Sequence, residues 1–255
     1  IKQLRKLRQT KGRREQGLLL LEGTNLIEAA VQRGYGLESF CYTESWQHRQ
    51  LPLWEQATTQ AQRAELVSPE VLAAIATTVN PDGAIATLTQ DQLVSRPPET
   101  VSLGLAIDRL QDPGNLGTII RTAAAAAADG IWLGPQSVDV QNPKVLRASA
   151  GAWFQTPLVS DVDLEGAIGQ WQQQGIQVIA TTAQAVKNYW QIDWRRPSLI
   201  LLGNERAGLA AELLAAADYQ VCIPQAKTVE SLNLGVSAAL LLYEALRQRQ
   251  KNLSR

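Results

Sequence analysis

From Ser102 onward, short apolar runs alternate with amphipathic stretches at near-regular spacing, and this alternation constrains the fold more than any other feature of the chain. The strand-like runs are 102–108, 130–133, 177–181, 198–202 and 219–223, and the helical runs are 116–128, 144–150, 164–174, 209–216 and 232–249. The strand-like runs are apolar along their length. Strands of that kind are buried on both faces, so the pattern predicts an α/β fold with a mostly parallel sheet covered by helices on either side. A less regular region precedes it. Runs 18–21, 38–43 and 64–67 are short and apolar, and the latter two look like strands. Asn25-Leu26-Ile27-Glu28 has the spacing of a capped helix start. Ser68-Pro69-Glu70 is a second helix opening, and Asp82-Gly83 marks a turn before an apolar run at 84–88. In Ser95-Arg96-Pro97-Pro98-Glu99 two prolines exclude both helix and central strand. The expected domains are therefore 1–96 and 97–255.

Composition removes several classes of function. With 45% apolar and 19% charged residues, the 255-residue chain can bury a core and is not a disordered protein. No apolar run approaches the roughly 18 residues of a spanning helix, and none follows the basic start as a secretory signal would. A soluble, cytoplasmic protein without a membrane partner is expected. Cys41 and Cys222 are too few for a disulfide framework or a zinc site. His48 is the one histidine, so neither a histidine-based triad nor a multi-histidine metal centre is available, and no metal is expected.

The formal net charge is zero, but it is unevenly spread. Residues 1–16 hold seven basic groups against Glu15, whereas 17–100 hold four basic and ten acidic groups. The last nine residues add Arg247, Arg249, Lys251 and Arg255 without an acid. Basic ends on a neutral body suit a phosphate backbone, because each neutralised phosphate releases counterions. They equally suit a solvated terminus.

In open parallel sheets, ligands bind beyond the carboxyl ends of the strands, which directs attention to three junctions. The first is Asp112-Pro113-Gly114-Asn115-Leu116-Gly117-Thr118-Ile119-Ile120-Arg121. Asn115 can cap the following helix, or it can face a ligand from the loop. Six residues separate it from Arg121, about 240° round a regular helix, so the two converge on one ligand only if Asn115 precedes the helix. The second junction runs from an apolar strand into Leu202-Gly203-Asn204-Glu205-Arg206-Ala207-Gly208-Leu209, where Gly203 would let the backbone approach a ligand. The third is Ile223-Pro224, then Ser231-Leu232-Asn233 opening a long helix. Ser231 is a natural cap; capping by Ser231 leaves Asn233 unexplained. Elsewhere, Arg33-Gly34-Tyr35-Gly36 lacks the third glycine of a dinucleotide fingerprint, and no Gly-Lys-Ser/Thr phosphate loop exists.

Together these pieces resemble the SpoU (TrmH-type) RNA 2′-O-ribose methyltransferases of the SPOUT superfamily: Asn115 to Arg121, Leu202 to Leu209, and Ile223-Pro224 with Ser231-Leu232-Asn233. The stretch from Asn142-Pro143-Lys144 to Arg147-Ala148-Ser149 also looks like the segment between the first two motifs. The likeness covers about 101–250. More weakly, the N-terminal part looks like the small ribosomal-protein-like, substrate-binding domain of many members. Arg206 and Gln225 depart from residues frequent at their positions. The resemblance implies a C-terminal trefoil knot cradling S-adenosylmethionine, and an obligate homodimer with each active site completed across the interface. It implies cofactor contacts at Leu202, Gly203, Asn204, Ile223, Pro224, Leu232 and Asn233. Asn115, Arg121, Glu205, Ser231 and Asn233 would then surround the reacting ribose. An arginine is a poor base at neutral pH, so Arg121 is expected to bind a neighbouring phosphate and stabilise an alkoxide. The expected substrate is a structured RNA, ribosomal RNA favoured over transfer RNA. The alternatives are a catalytically silent RNA-binding protein on the same scaffold and a nucleotide-dependent enzyme of the doubly wound class.

Overall fold

The structure, a computed structural model, describes residues 1–93, 98–226, 228 and 231–250. The chain forms two compact units: Ile1–Val94 with Asp139–Phe154, and Ser95–Val138 with Gln155–Arg255. Most of the proline-rich linker and the expected boundary at 96/97 lie outside the described residues, as do Lys251 and Arg255.

The first unit opens with two short helices, α1 (Lys2–Lys6) and α2 (Thr10–Gln16), followed by β1 (Leu18–Glu22) and α3 (Thr24–Gln32). β2 (Leu37–Tyr42), α4 (Glu44–Arg49), α5 (Leu51–Gln60), β3 (Ala64–Leu66), α6 (Pro69–Ile75) and β4 (Ala84–Thr89) complete it. The sheet order is β1-β4-β2-β3, antiparallel except for the β2–β3 pair. β1 lies at an edge of this sheet yet is covered on both faces, which is why 18–21 reads as unbroken apolar sequence. Leu19 and Leu21 enter one core with Phe40 and Trp46, while Leu20 enters the other with Leu7, Leu72 and Ile75. Ser68 caps α6 as expected, accepting from the Val71 amide. The start of α3 differs. Gly23 precedes it without a side-chain cap, and Asn25 lies inside the helix. The first-turn donor at Thr24 is satisfied from 58 residues away, by Asp82 Oδ2 at 2.8 Å. A tertiary contact replaces the local box.

The second unit has β5 (Leu103–Ile107), α7 (Pro113–Ala125) and β6 (Gly130–Leu133). Next in the chain comes α8 (Pro143–Ala148), which belongs to the first unit. β7 (Leu158–Val159), α9 (Leu164–Gln173), β8 (Gln177–Thr181), β9 (Ser198–Leu202), α10 (Ala211–Ala216), β10 (Tyr219–Val221) and α11 (Leu234–Gln250) follow. The six-stranded sheet has the order β10-β8-β9-β5-β6-β7, and every pair is parallel. In β9, Leu199 and Leu201 face a core with Ile168, Trp171 and Leu213 of α9 and α10. Ile200 and Leu202 are equally buried on the opposite side, where α11 packs on β9 and on α7. This is the two-faced burial that the apolar strands predict. β7 has only two residues and gives no periodic signal.

The sequence reading groups 139–154 with the second domain. In the structure this segment packs into the first unit, because its apolar side chains fill that core. Leu146 is fully buried there, with Trp153 and Phe154 against the same cluster. Two ion pairs hold it: Arg13 with Asp139, and Arg147 with Glu22 at 3.0 Å. Among the described residues, no helix is long and apolar enough to cross a membrane, and no group of His, Cys, Asp and Glu could hold a metal ion.

Candidate active site

A cavity of about 330 Å³ opens at the carboxyl ends of β8, β9 and β10. That is where the general rule for parallel sheets places a ligand. Its walls come from 181–184 after β8, 203–209 after β9, Ile223 and Gln225 after β10, and Ser231-Leu232 before α11.

The loop after β9 is built by its own backbone and one amide. Asn204 and Gly208 exchange backbone hydrogen bonds, at 3.0 and 2.9 Å. The Asn204 carboxamide accepts from the Arg206 and Ala207 amides, and donates to the Arg109 carbonyl beyond β5 at 2.8 Å. Asn204 thus fastens two carboxyl-edge loops together. Gly203 is needed for a related reason: any Cβ there would overlap the backbone of Gly208 and Leu209. The glycine thus allows a close approach within the protein's own chain, and it also lines the cavity. Leu202 is fully buried and Pro224 is exposed, and neither contributes to the cavity wall.

Three residues distant in sequence meet here, of which Glu205 lines the cavity and Asn115 and Asn233 stand behind it. Asn233 Nδ2 donates to Asn115 Oδ1 at 2.8 Å, and Asn115 Nδ2 donates to Glu205 Oε1 at 3.2 Å. The direction of this relay is set by α11. Asn233 Oδ1 accepts from the Gly235 amide at 2.9 Å and the Val236 amide at 3.3 Å. The helix end demands an oxygen there, so the Asn233 nitrogen must face Asn115, whose own nitrogen must then face the carboxylate. Asn233, not Ser231, caps the helix. Ser231 lies ahead of it, exposed on the cavity wall.

Asn115 is not a loop residue. Asp112 caps α7, accepting from the Asn115 amide at 2.8 Å, with Pro113 in the first turn. Asn115 therefore sits inside the helix, and Arg121 lies about 240° round the same cylinder. The condition under which one chain could aim both at one ligand is not met. Arg121 is exposed, does not line the cavity, and has no hydrogen bond or ion pair among the described residues. So Asn115, Glu205 and Asn233 come together within the chain, and Arg121 does not join them.

The sequence reading passed over 181–184, which form one whole wall of the cavity. The available signal was positional: these residues follow the carboxyl end of β8, the kind of junction inspected elsewhere. Apolar surfaces from Leu209, Ile223 and Leu232 face hydroxyl and amide groups from Thr182, Gln184 and Ser231. Glu205 and Arg206 are the charged groups on the wall. The volume lies in the range of small-molecule sites. The mixed lining fits a small molecule with both apolar and hydrogen-bonding parts, beside the Glu205 carboxylate.

Fold and site define a class: an α/β protein with a cavity of small-molecule size at the carboxyl edge of a parallel sheet, beside a carboxylate held by a relay of two carboxamides. The chain belongs to the SpoU rRNA Methylase family, whose model matches residues 102–243. Residues 1–86 match the MRM3-like substrate binding domain. An uncharacterized tRNA/rRNA methyltransferase of Synechocystis is 49% identical over 98% of this chain and 91% of its own length. The Bacillus subtilis 23S rRNA (guanosine-2′-O)-methyltransferase RlmP is 32% identical, covering 95% of this chain and 94% of that protein. The crystal structure of an AdoMet-bound rRNA methyltransferase from Sinorhizobium meliloti superimposes with a TM-score of 0.81 at 32% identity, covering 96% of this chain and 93% of that one.

Proposed function

We propose that this protein transfers a methyl group from S-adenosylmethionine to a ribose 2′-hydroxyl of a structured RNA, ribosomal RNA in preference to transfer RNA, in the cytoplasm. The observation that carries this reading is the relay of Asn233 and Asn115 onto Glu205, which lines a cavity of cofactor size, in a SpoU-family chain. Relatives named as rRNA methyltransferases support the RNA class.

Bound in the cavity, the cofactor supplies a methyl group already activated on a sulfonium. The protein's task is then alignment and removal of the hydroxyl proton. The 203–205, 223–224 and 231–233 segments hold the donor, with Leu202 as their buried backing and Asn204 fixing the loop. Glu205 Oε1 is engaged by Asn115, which leaves Oε2 to receive a hydrogen bond from the incoming ribose or from a guanidinium. Ser231 offers a second polar contact. Arg121 binds the adjoining phosphate and lowers the energy of the alkoxide that forms on the ribose oxygen.

Since α7 turns Asn115 and Arg121 apart, Arg121 serves the pocket of a second copy, and the active unit is a homodimer. A groove of about 490 Å³ between α7 and α11 supports this reading, lined by Thr118, Thr122, Val236, Leu240 and Tyr243 among others. Val236 and Tyr243 are about half exposed, and contiguous exposed apolar surface of this kind marks an association site. The SPOUT trefoil knot belongs to the same reading. It is supported by family membership and by the cavity that 203–209 share with Ile223, Gln225, Ser231 and Leu232. Residues 1–96, basic arm included, together with the 139–154 segment packed among them, are the RNA substrate-binding part, and the rest of 97–255 is the catalytic part.

Complementation tests the arrangement. Arg121→Ala and Glu205→Ala are each expected to abolish tritiated-methyl transfer to deproteinised ribosomal RNA. In an isologous dimer, mixing them should restore about a quarter of wild-type activity through heterodimers with one intact site. A mixture as inactive as its components places Arg121 in its own chain's pocket and overturns the shared site. Greater transfer to tRNA than to rRNA reverses the substrate order.

A further inference from the structure

We propose that the exposed side of the α1–α2 hairpin is a preformed docking surface for the phosphate backbone of the RNA substrate. This rests on the reading above and says which face of the first unit grips the nucleic acid. The seven basic groups of residues 1–16 divide into two kinds. Arg8 and Arg13 are spent on the fold. Arg8 closes the end of α6, donating to the Ala74 carbonyl at 2.7 Å and the Ile75 carbonyl at 2.9 Å. Arg13 is buried, donating to the Leu7 carbonyl at 3.0 Å and pairing with Asp139. Lys2, Arg5, Lys6, Lys11 and Arg14 remain exposed, and of these Lys11 alone has an acidic partner among the described residues, Glu15 at 3.8 Å.

The hairpin is held, not frayed. Leu7, between the helices, is fully buried in a core with Leu20, Leu72 and Ile75. At Gly12 any side chain would overlap the Lys6 carbonyl, so the two helices meet backbone to backbone. A rigid platform binds without the ordering cost that a loose basic tail incurs. Helices of five and seven residues are roughly 8–10 Å long, a span over which duplex RNA or DNA presents several phosphates. Concentrating like charge there, in a chain whose next 84 residues are net acidic, costs repulsion that a polyanion relieves.

The test uses the full chain and deproteinised ribosomal RNA, with binding measured across a range of KCl concentrations. Replacing Lys2, Arg5, Lys6 and Arg14 together by Ala should weaken binding on the order of 10²-fold, and flatten the dependence of log K on log salt by about 0.9 for each phosphate that is no longer neutralised. The melting temperature and S-adenosylmethionine titration should stay as in the wild type. A Lys2→Gln/Lys6→Gln pair should give a smaller change of the same sign, should the fourfold variant misfold. Arg8→Ala should do the reverse, lowering the melting temperature while keeping the salt slope. Wild-type affinity and slope in both surface variants overturn the proposal. Wild-type methyl transfer is scored separately. Transfer with an unchanged slope removes the docking face alone; no transfer with a flattened slope removes the methylation reading and leaves the face standing.

Discussion

Glu22 and Glu205 are both carboxylates just beyond apolar strand sequence, one in each unit, and the protein treats them oppositely. Glu22, at the end of β1, is 3% exposed. Both of its oxygens are saturated. Oε2 accepts from the Thr77 amide, the Thr77 hydroxyl and Arg147, and Oε1 from the Thr78 amide and hydroxyl. Burial pushes its carboxyl up, but the threonine hydrogen bonds and the Arg147 charge outweigh that and hold it below its ordinary value. Glu205 is half-buried and, among the described residues, accepts one side-chain hydrogen bond, from Asn115. A carboxylate with every lone pair used fastens a structure. One held firmly through a single oxygen keeps the other for chemistry.

Three measurements bear on that contrast. The largest effect is expected from Glu22→Ala, which strands Arg147 and two threonines and should cost about 3 kcal/mol of urea-measured stability. The folded fraction should keep its methyl-transfer rate; a slowed rate in that fraction would break the division of labour. Next, Glu205→Gln should reduce kcat about 10²-fold, the usual scale for one electrostatic or proton-handling group. Its melting temperature should be unchanged, and a large stability loss would place Glu205 with Glu22. The smallest effect concerns pH. The Glu22 value is lower folded than unfolded, so its contribution is complete above the ordinary 4.5 and is lost as pH falls from there through the folded value. Wild-type stability should decline through that acid window more steeply than that of Glu22→Gln, and parallel curves would contradict the saturated site.

Much of the second unit was legible in sequence because burial on both faces leaves an unambiguous mark. The run 198–202 became β9 and 130–133 became β6 without adjustment. What escaped depended either on partners remote in the chain or on which of two nearby residues took the cap. Asn25 has good capping spacing, yet Asp82 reaches across to do the work. Asn115 has the right chemistry, but Asp112 had already claimed the cap, moving Asn115 into the helix and away from Arg121. Ser231 and Asn233 are both competent caps by type, and only the position of the first helical turn decides between them. Charge could not distinguish Arg8 and Arg13 from their neighbours, since the carbonyls and the carboxylate that hold them lie at 73–75 and 139.

The placement of 139–154 has a practical corollary. The polypeptide departs from the parallel sheet after β6, lends a helix to the other body, and returns at β7. A single cut near the proline pair would therefore strip the N-terminal piece of Leu146, Arg147 and Asp139, and leave the C-terminal piece trailing an apolar helix with no home. Two modules consecutive in sequence are thus interleaved in folding, and neither should be obtainable by simple truncation.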